Sequence, residues 1–334
     1  MIEKSMVEND EYWQKQIDFI SQLIIQKPRE TEYYFRRAKF YTKINQLQKA
    51  LDDIQFAILI QPKNVDYLLL KAEILKKIGN KKQELFDTAI EAEKLGSQSP
   101  FLWIILGKHY LEDNKLTIAE DYLKKSLSLI PQNTEVLYYL GRLHFNLSDT
   151  AQAFYYFKQA IQQDVHFFPA YLALMQTFNK YGLYEQSLFW ADSLTKNNKI
   201  NSEYAYLLAS TLEHLTKPNP DTVIHWYKQS IELDSCFWKS YEGLANVYFN
   251  QKKYDLAIQN FENSAKHQEK PIDTYMKLGW LYEQKINNYS KAKQYYDKAY
   301  ELDSVRTDIM EAKNRVERKI TNLLKKQNLE TSQQ

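Results

Sequence analysis

Apolar positions along this chain keep a helical period, and the periodic stretches come in pairs. From Pro100 to Asn133, Trp103, Leu106, Gly107 and Tyr110 share one helical face, Ala119, Leu123 and Ser126 share another, and Pro131 closes the run. Apolar residues recurring three, four and seven positions apart mark an amphipathic helix. The same layout recurs with starts near residues 31, 65, 100, 134, 168, 202, 238 and 272, a period of 34 that slips by only one or two. The first unit carries Tyr34, Ala38 and Tyr41, then Ala50, Ile54 and Ala57, and the last carries Tyr275, Leu278, Gly279 and Tyr282, then Ala292, Tyr296 and Ala299. Each unit therefore predicts two helices. The sixth departs at Lys217, Pro218, Asn219 and Pro220, where two prolines keep the connection out of a helix.

Both ends of the array differ from its middle. Trp13, Ile17, Ile20, Leu23 and Ile24 predict a half-unit over residues 13–28, preceded by a polar, fraying stretch at 1–12. Ile309, Ala312, Val316, Ile320 and Leu323 predict a capping helix over 305–325, with a disordered tail at 326–334. Lys313, Arg315, Arg318 and Lys319 on that helix, with Glu311 and Glu317 among them, read as a solvated outer face. Small residues recur at the eighth position of a unit: Ala38, Ala72, Gly107, Gly141, Ala209, Ala245 and Gly279. They are expected to let the two helices approach, opposite Ala50, Ala119, Ala153 or Ala257; a larger side chain there would cost about 1–3 kcal/mol.

The spacing W-x2-L-G-x2-Y…A…P, quoted from Trp103, Leu106, Gly107, Tyr110, Ala119 and Pro131, resembles the tetratricopeptide-repeat (TPR) family. The resemblance extends from about residue 13 to about residue 325. It implies an all-α fold, a right-handed superhelical solenoid of antiparallel helix pairs over 13–304. It also implies a concave groove, lined by the first helix of each pair, that takes an extended peptide or a helix of a partner protein.

Composition narrows the function classes. Seven glycines and eight prolines in 334 residues are too few to punctuate many strands. Basic and acidic residues balance at 44 and 42, which argues against a nucleic-acid footprint. Cys236 is the single cysteine, so no intramolecular disulfide can form. HExxH, CxxC, GxSxG, GxGxxG and P-loop patterns are absent, and the six histidines have no metal-ligand spacing. The reading is a non-enzyme with no cofactor, no metal and no catalytic residues. The N-terminal stretch lacks a signal-peptide pattern and no apolar run approaches a membrane span, so no membrane insertion is expected. A cytoplasmic location is the expectation, with the cell envelope or periplasm as the alternative if a leader was trimmed.

Groove positions are the second, fifth, ninth and twelfth of each unit, one helical face by their spacing. They select Phe101, Ile104, Lys108 and Leu111 in the third unit and Tyr138, Arg142 and Phe145 in the fourth. In the last two units they select Phe249, Met276 and Trp280, with Glu242, Asp273 and Glu283 as an acidic rim. The carboxylate clamp by which some TPR domains hold a chaperone C-terminus is not matched: Glu242 stands where Lys is needed and Lys277 where Asn is needed. The expected function is a scaffold that binds a peptide segment or helix of a partner protein. The alternative is a structural subunit assembling through its ends or convex face.

Overall fold

A computed structural model describes residues 2–195 and 200–331, with the backbone alone at 2–9, 195 and 326–331. Every element among the described residues is a helix or a short turn. The chain divides into two compact units, Met1–Phe167 and Phe168–Gln334. Unit 1 contains α1 (Ile2–Gln26), α2 (Thr31–Lys43), α3 (Leu47–Ile60), α4 (Val65–Ile78), α5 (Lys82–Lys94), α6 (Pro100–Glu112), α7 (Leu116–Leu129), α8 (Thr134–Asn146) and α9 (Thr150–Gln163). Unit 2 contains α10 (Phe168–Lys180), α11 (Tyr184–Thr195), α12 (Ser202–Glu213), α13 (Pro220–Leu233), α14 (Trp238–Asn250), α15 (Tyr254–Lys266), α16 (Ile272–Gln284), α17 (Tyr289–Leu302) and α18 (Thr307–Thr331).

Side-chain caps and left-handed turns set the helix ends. Asn64, Asn133, Asn201, Asn219 and Asn288 each accept a hydrogen bond from a backbone N–H in the first turn that follows, satisfying donors with no partner inside the helix. Within a pair, the chain reverses through one residue in the left-handed region: Asn45, Gly79, Asn114, Ser148, Gly182, Lys252 and Asn287. The first five lie 34 or 35 residues apart, so the turn repeats in step with the helices. Asn tolerates this backbone better than most residues, and Gly adopts it freely. The sixth pair turns instead through the segment ending at Asn219, which caps α13.

In each unit, successive helices pack on one another, and first helices also touch the next first helix. The unit 1 core includes Leu51, Ile54, Ile74, Leu106, Leu123 and Leu140, all fully or almost fully buried. Unit 2 does the same with Val223, Tyr227, Phe261, Leu278, Tyr296 and Val316. As expected, the eighth position leaves no room for a larger side chain at the glycines, but what crowds it is chiefly a side chain of the second helix. A Cβ built on Gly107 would sit 2.8 Å from Leu123, on Gly141 2.5 Å from Phe157, and on Gly279 2.5 Å from Tyr296. The side chain lying over each glycine is thus a large one, four residues beyond Ala119, Ala153 or Ala292. The void left by a missing Cβ is filled by an aromatic or leucine side chain, which gains burial of its own.

The ends also differ from expectation. The N-terminal stretch expected to fray is helical from Ile2 onward, as the first turns of α1. The C-terminal helix runs to Thr331, through much of the expected tail; residues 332–334 lie outside the described residues. So does the polar run Lys196, Asn197, Asn198 and Lys199 that ends the fifth repeat. No described helix is long and apolar enough to cross a membrane.

Candidate functional site

A cavity of about 490 Å³ opens between α14, α16 and α18 of unit 2, with Phe261 of α15 and Tyr296 of α17 also lining it. Helical spacing brings its residues together. Asn246 and Phe249 are three apart on α14, and Met276 and Trp280 four apart on α16. Asp308, Glu311, Ala312 and Arg315 of α18 fall at i, i+3, i+4 and i+7. Trp280 is 40% exposed despite its size. Its ring meets Phe249 edge-on, with centroids 5.8 Å apart, and Lys285 Nζ lies 5.3 Å from its centre. A second cavity of about 320 Å³, lined by Tyr206, Glu213, Trp238 and Glu242 among others, shares Asn246 with the first. The first-helix face of unit 2 thus carries two adjoining hollows.

Charge around the larger cavity is mostly spent internally. Glu283 has a fully buried side chain. Arg315 donates to it through Nε and Nη2 at 2.8 Å each, Lys319 Nζ lies at 2.9 Å, and the Tyr296 hydroxyl donates at 2.9 Å. Burial alone would raise the pKa of this carboxyl. The bonds from Arg315, Lys319 and Tyr296 outweigh burial and hold it at about 2. Lys277 bonds Glu242, and Arg306 bonds both Asp273 at 2.7 Å and Asp308 at 2.9 and 2.8 Å. Glu283, read as part of an acidic rim, is therefore buried and neutralised. Arg315 and Lys319, read as solvated, stay partly exposed while bonding Glu283, and Lys313 bonds Asp297 at 2.8 Å.

Unit 1 treats its candidate residues differently. Ile104 and Leu111 are 5% and 4% exposed and belong to the core formed with Leu123, Tyr139 and Leu143. They are packing residues, because an aliphatic side chain at those positions drops into the crevice between α6 and its neighbours. Phe101 is half-buried under Lys76, whose Nζ lies 5.4 Å from its ring centre and 2.8 Å from Glu135. That ion pair links α4 to α8. Lys108 lies 5.8 Å from the centre of the Tyr139 ring. Tyr138 packs on Tyr139, Phe157 and Phe167, Phe145 is half-buried, and Arg142 is exposed with its guanidinium 6.0 Å from the Tyr138 ring. The cavity beside them, reaching Phe86 and His109, is only about 60 Å³.

Of the ten sequence-selected residues, Phe249, Met276 and Trp280 converge on the large cavity. Sequence reasoning missed the α18 wall: Asp308, Glu311, Ala312 and Arg315. The available signal was their shared face, one step round the helix from the apolar stripe. No group of three or more His, Cys, Asp or Glu among the described residues could hold a metal ion.

Comparison with known proteins bears on the fold and family. A tetratricopeptide-repeat family model matches residues 106–164. A family described as "Uncharacterized protein conserved in bacteria (DUF2225)" matches residues 189–326. No curated protein matches the sequence. Among solved structures, the APC/C hetero-tetramer Cut9–Hcn1 is 16% identical with a TM-score of 0.62, over 91% of this chain and 59% of that one. This chain thus spans less than two thirds of that one, and at such identity the likeness is one of fold. YrrB, described as a TPR protein with an unusual peptide-binding site, is 17% identical with a TM-score of 0.42, over 57% of this chain and 97% of that one. A tetratricopeptide repeat protein from Parabacteroides merdae is 17% identical with a TM-score of 0.43, over 86% and 98%. A tetratricopeptide repeat is thus matched over α6–α9, and the all-α helix-pair architecture on either side, like the fold of Cut9–Hcn1, is that of a helical repeat array.

Proposed function

We propose that this chain is a protein-binding scaffold whose unit 2 holds a peptide segment or helix of a partner protein against α14, α16 and α18. TPR proteins bind protein partners and are typically non-catalytic scaffolds, which sets the class. The observation carrying the finer reading is the cavity of about 490 Å³ with Trp280 40% exposed at its edge. Large apolar side chains left open in a concave site mark binding surfaces better than isolated ones, and Trp and Tyr anchors dominate interface energies. Phe249 and Met276 supply adjoining apolar wall, and Asn246 carries both a donor and an acceptor that suit a peptide backbone. In unit 1, exposed Arg142 beside Tyr138 offers a smaller contact point of its own.

The test is selection of 12-residue peptides from a displayed random library on the full chain, followed by affinity measurement against Trp280→Ala and Phe249→Ala. The expected loss is about 30-fold or more for Trp280→Ala, the scale of an interface hot spot. Peptides whose affinity ignores both substitutions, with helical circular dichroism intact, would place the interface elsewhere.

A further inference from the structure

Building on the groove reading, we infer that the partner segment carries a large apolar side chain beside a lysine or arginine. Two features of the cavity in unit 2 lead there. First, its walls are largely apolar: Phe249, Phe261, Met276, Trp280, Leu281 and Tyr296 line a hollow with room for a large side chain. Second, the charged groups that line it are committed, with one exception, and Lys285 beyond the lining lies over the Trp280 ring. Lys277 is bonded to Glu242, Arg315 to Glu283, and Asp308 to Arg306, which also carries Asp273. Glu311 is exposed on α18, lines the same cavity, and makes no hydrogen bond or ion pair among the described residues.

The consequence is electrostatic complementarity. A partner cation next to the apolar anchor meets Glu311 without displacing any internal pair. A partner carboxylate there would face Glu311 and Asp308 together, and could gain Arg315 or Lys277 only by competing with Glu283 or Glu242. Glu283 is a poor carboxylate to abandon, since it is buried and would be left without its strongest partner. Complementary charge at an exposed rim acts mainly on specificity, while the apolar anchor supplies most of the affinity.

The experiment uses the library-selected peptides, fluorescein-labelled, with analogues in which the basic residue becomes norleucine or glutamate. Selected sequences are expected to place Phe, Trp, Leu or Met next to Lys or Arg. Glu311→Gln should weaken those peptides about three- to fivefold and leave the norleucine analogues unchanged. Glu311→Lys should shift a repeated selection toward Asp and Glu. Both substitutions are at an exposed position, and circular dichroism checks that the fold persists. Peptides that depend on Trp280 but show no basic preference, or that ignore Glu311→Gln, overturn the charge inference and leave the groove reading standing. An empty selection, or binding indifferent to Trp280→Ala, overturns both.

Discussion

Helix α6 of unit 1 and helix α14 of unit 2 share one helical repeat and use its first-helix face in opposite ways. On α6 of unit 1, the fifth and twelfth positions are Ile104 and Leu111, and both are buried. On α14 of unit 2 the same positions are Glu242 and Phe249, and the ninth is Asn246 where α6 has Lys108. A carboxylate or an amide cannot enter an apolar crevice without a partner, so Glu242 and Asn246 are only half-buried, Glu242 with Lys277 as its partner. An aliphatic one enters and fills it. Above Phe101 the Lys76–Glu135 pair joins α4 to α8, whereas in unit 2 Lys277 and Glu242 join only the neighbouring helices α16 and α14. The repeat sets where such positions lie, and the chemistry at three of them decides whether the face closes or stays open.

If that contrast holds, the same kind of truncation should act on stability in unit 1 and on binding in unit 2. The largest effect belongs to Ile104→Ala, which removes a buried side chain and should cost about 2–5 kcal/mol in urea unfolding with no change in peptide affinity. Trp280→Ala should do the reverse, losing about 2 kcal/mol or more of binding while stability moves by less than about 1 kcal/mol. Equal stability losses at the two sites would remove the distinction between a filled and an open face.

The α18 wall can be tested separately. Arg315→Ala removes two charge-assisted bonds to Glu283 and should destabilise the fold by about 1.5–3 kcal/mol, since Lys319 and Tyr296 remain. The folded pKa of Glu283, about 2, lies below its ordinary value of 4.5, so its contribution is complete above about pH 4.5 and is lost as pH falls toward 2. Urea midpoints measured across that window should drop for the natural chain, and less steeply for Glu283→Gln. Smallest of all, Lys76→Ala breaks a half-exposed pair and should change stability by less than about 1 kcal/mol. Its readout is hydrogen exchange of α6 amides, which should quicken if the Lys76–Glu135 link holds the unit 1 face shut.

Much of this protein was legible from residue order. Period, pairing and small-residue positions are local: a helix repeats every 3.6 residues, so the spacing of Trp103, Leu106 and Tyr110 states which face is apolar without any knowledge of neighbours. Phe249, Met276 and Trp280, which line the unit 2 cavity, were selected by the same rule, because a fixed register marks which positions point away from the partner helix. That rule assigns a direction, and direction is not exposure. Ile104 and Leu111 share the groove spacing yet are covered, and Glu283 shares it yet is buried under Arg315 and Lys319, 32 and 36 residues further on. Pairings across such separations depend on which helix packs beside which, and one chain's sequence does not encode them as a period. The sequence by itself determined the helical repeat and the positions available for recognition. The tertiary structure decided which of them are occupied by packing, and it made the C-terminal cap a wall of the unit 2 cavity, because burial and charge neutralisation are properties of neighbours in space.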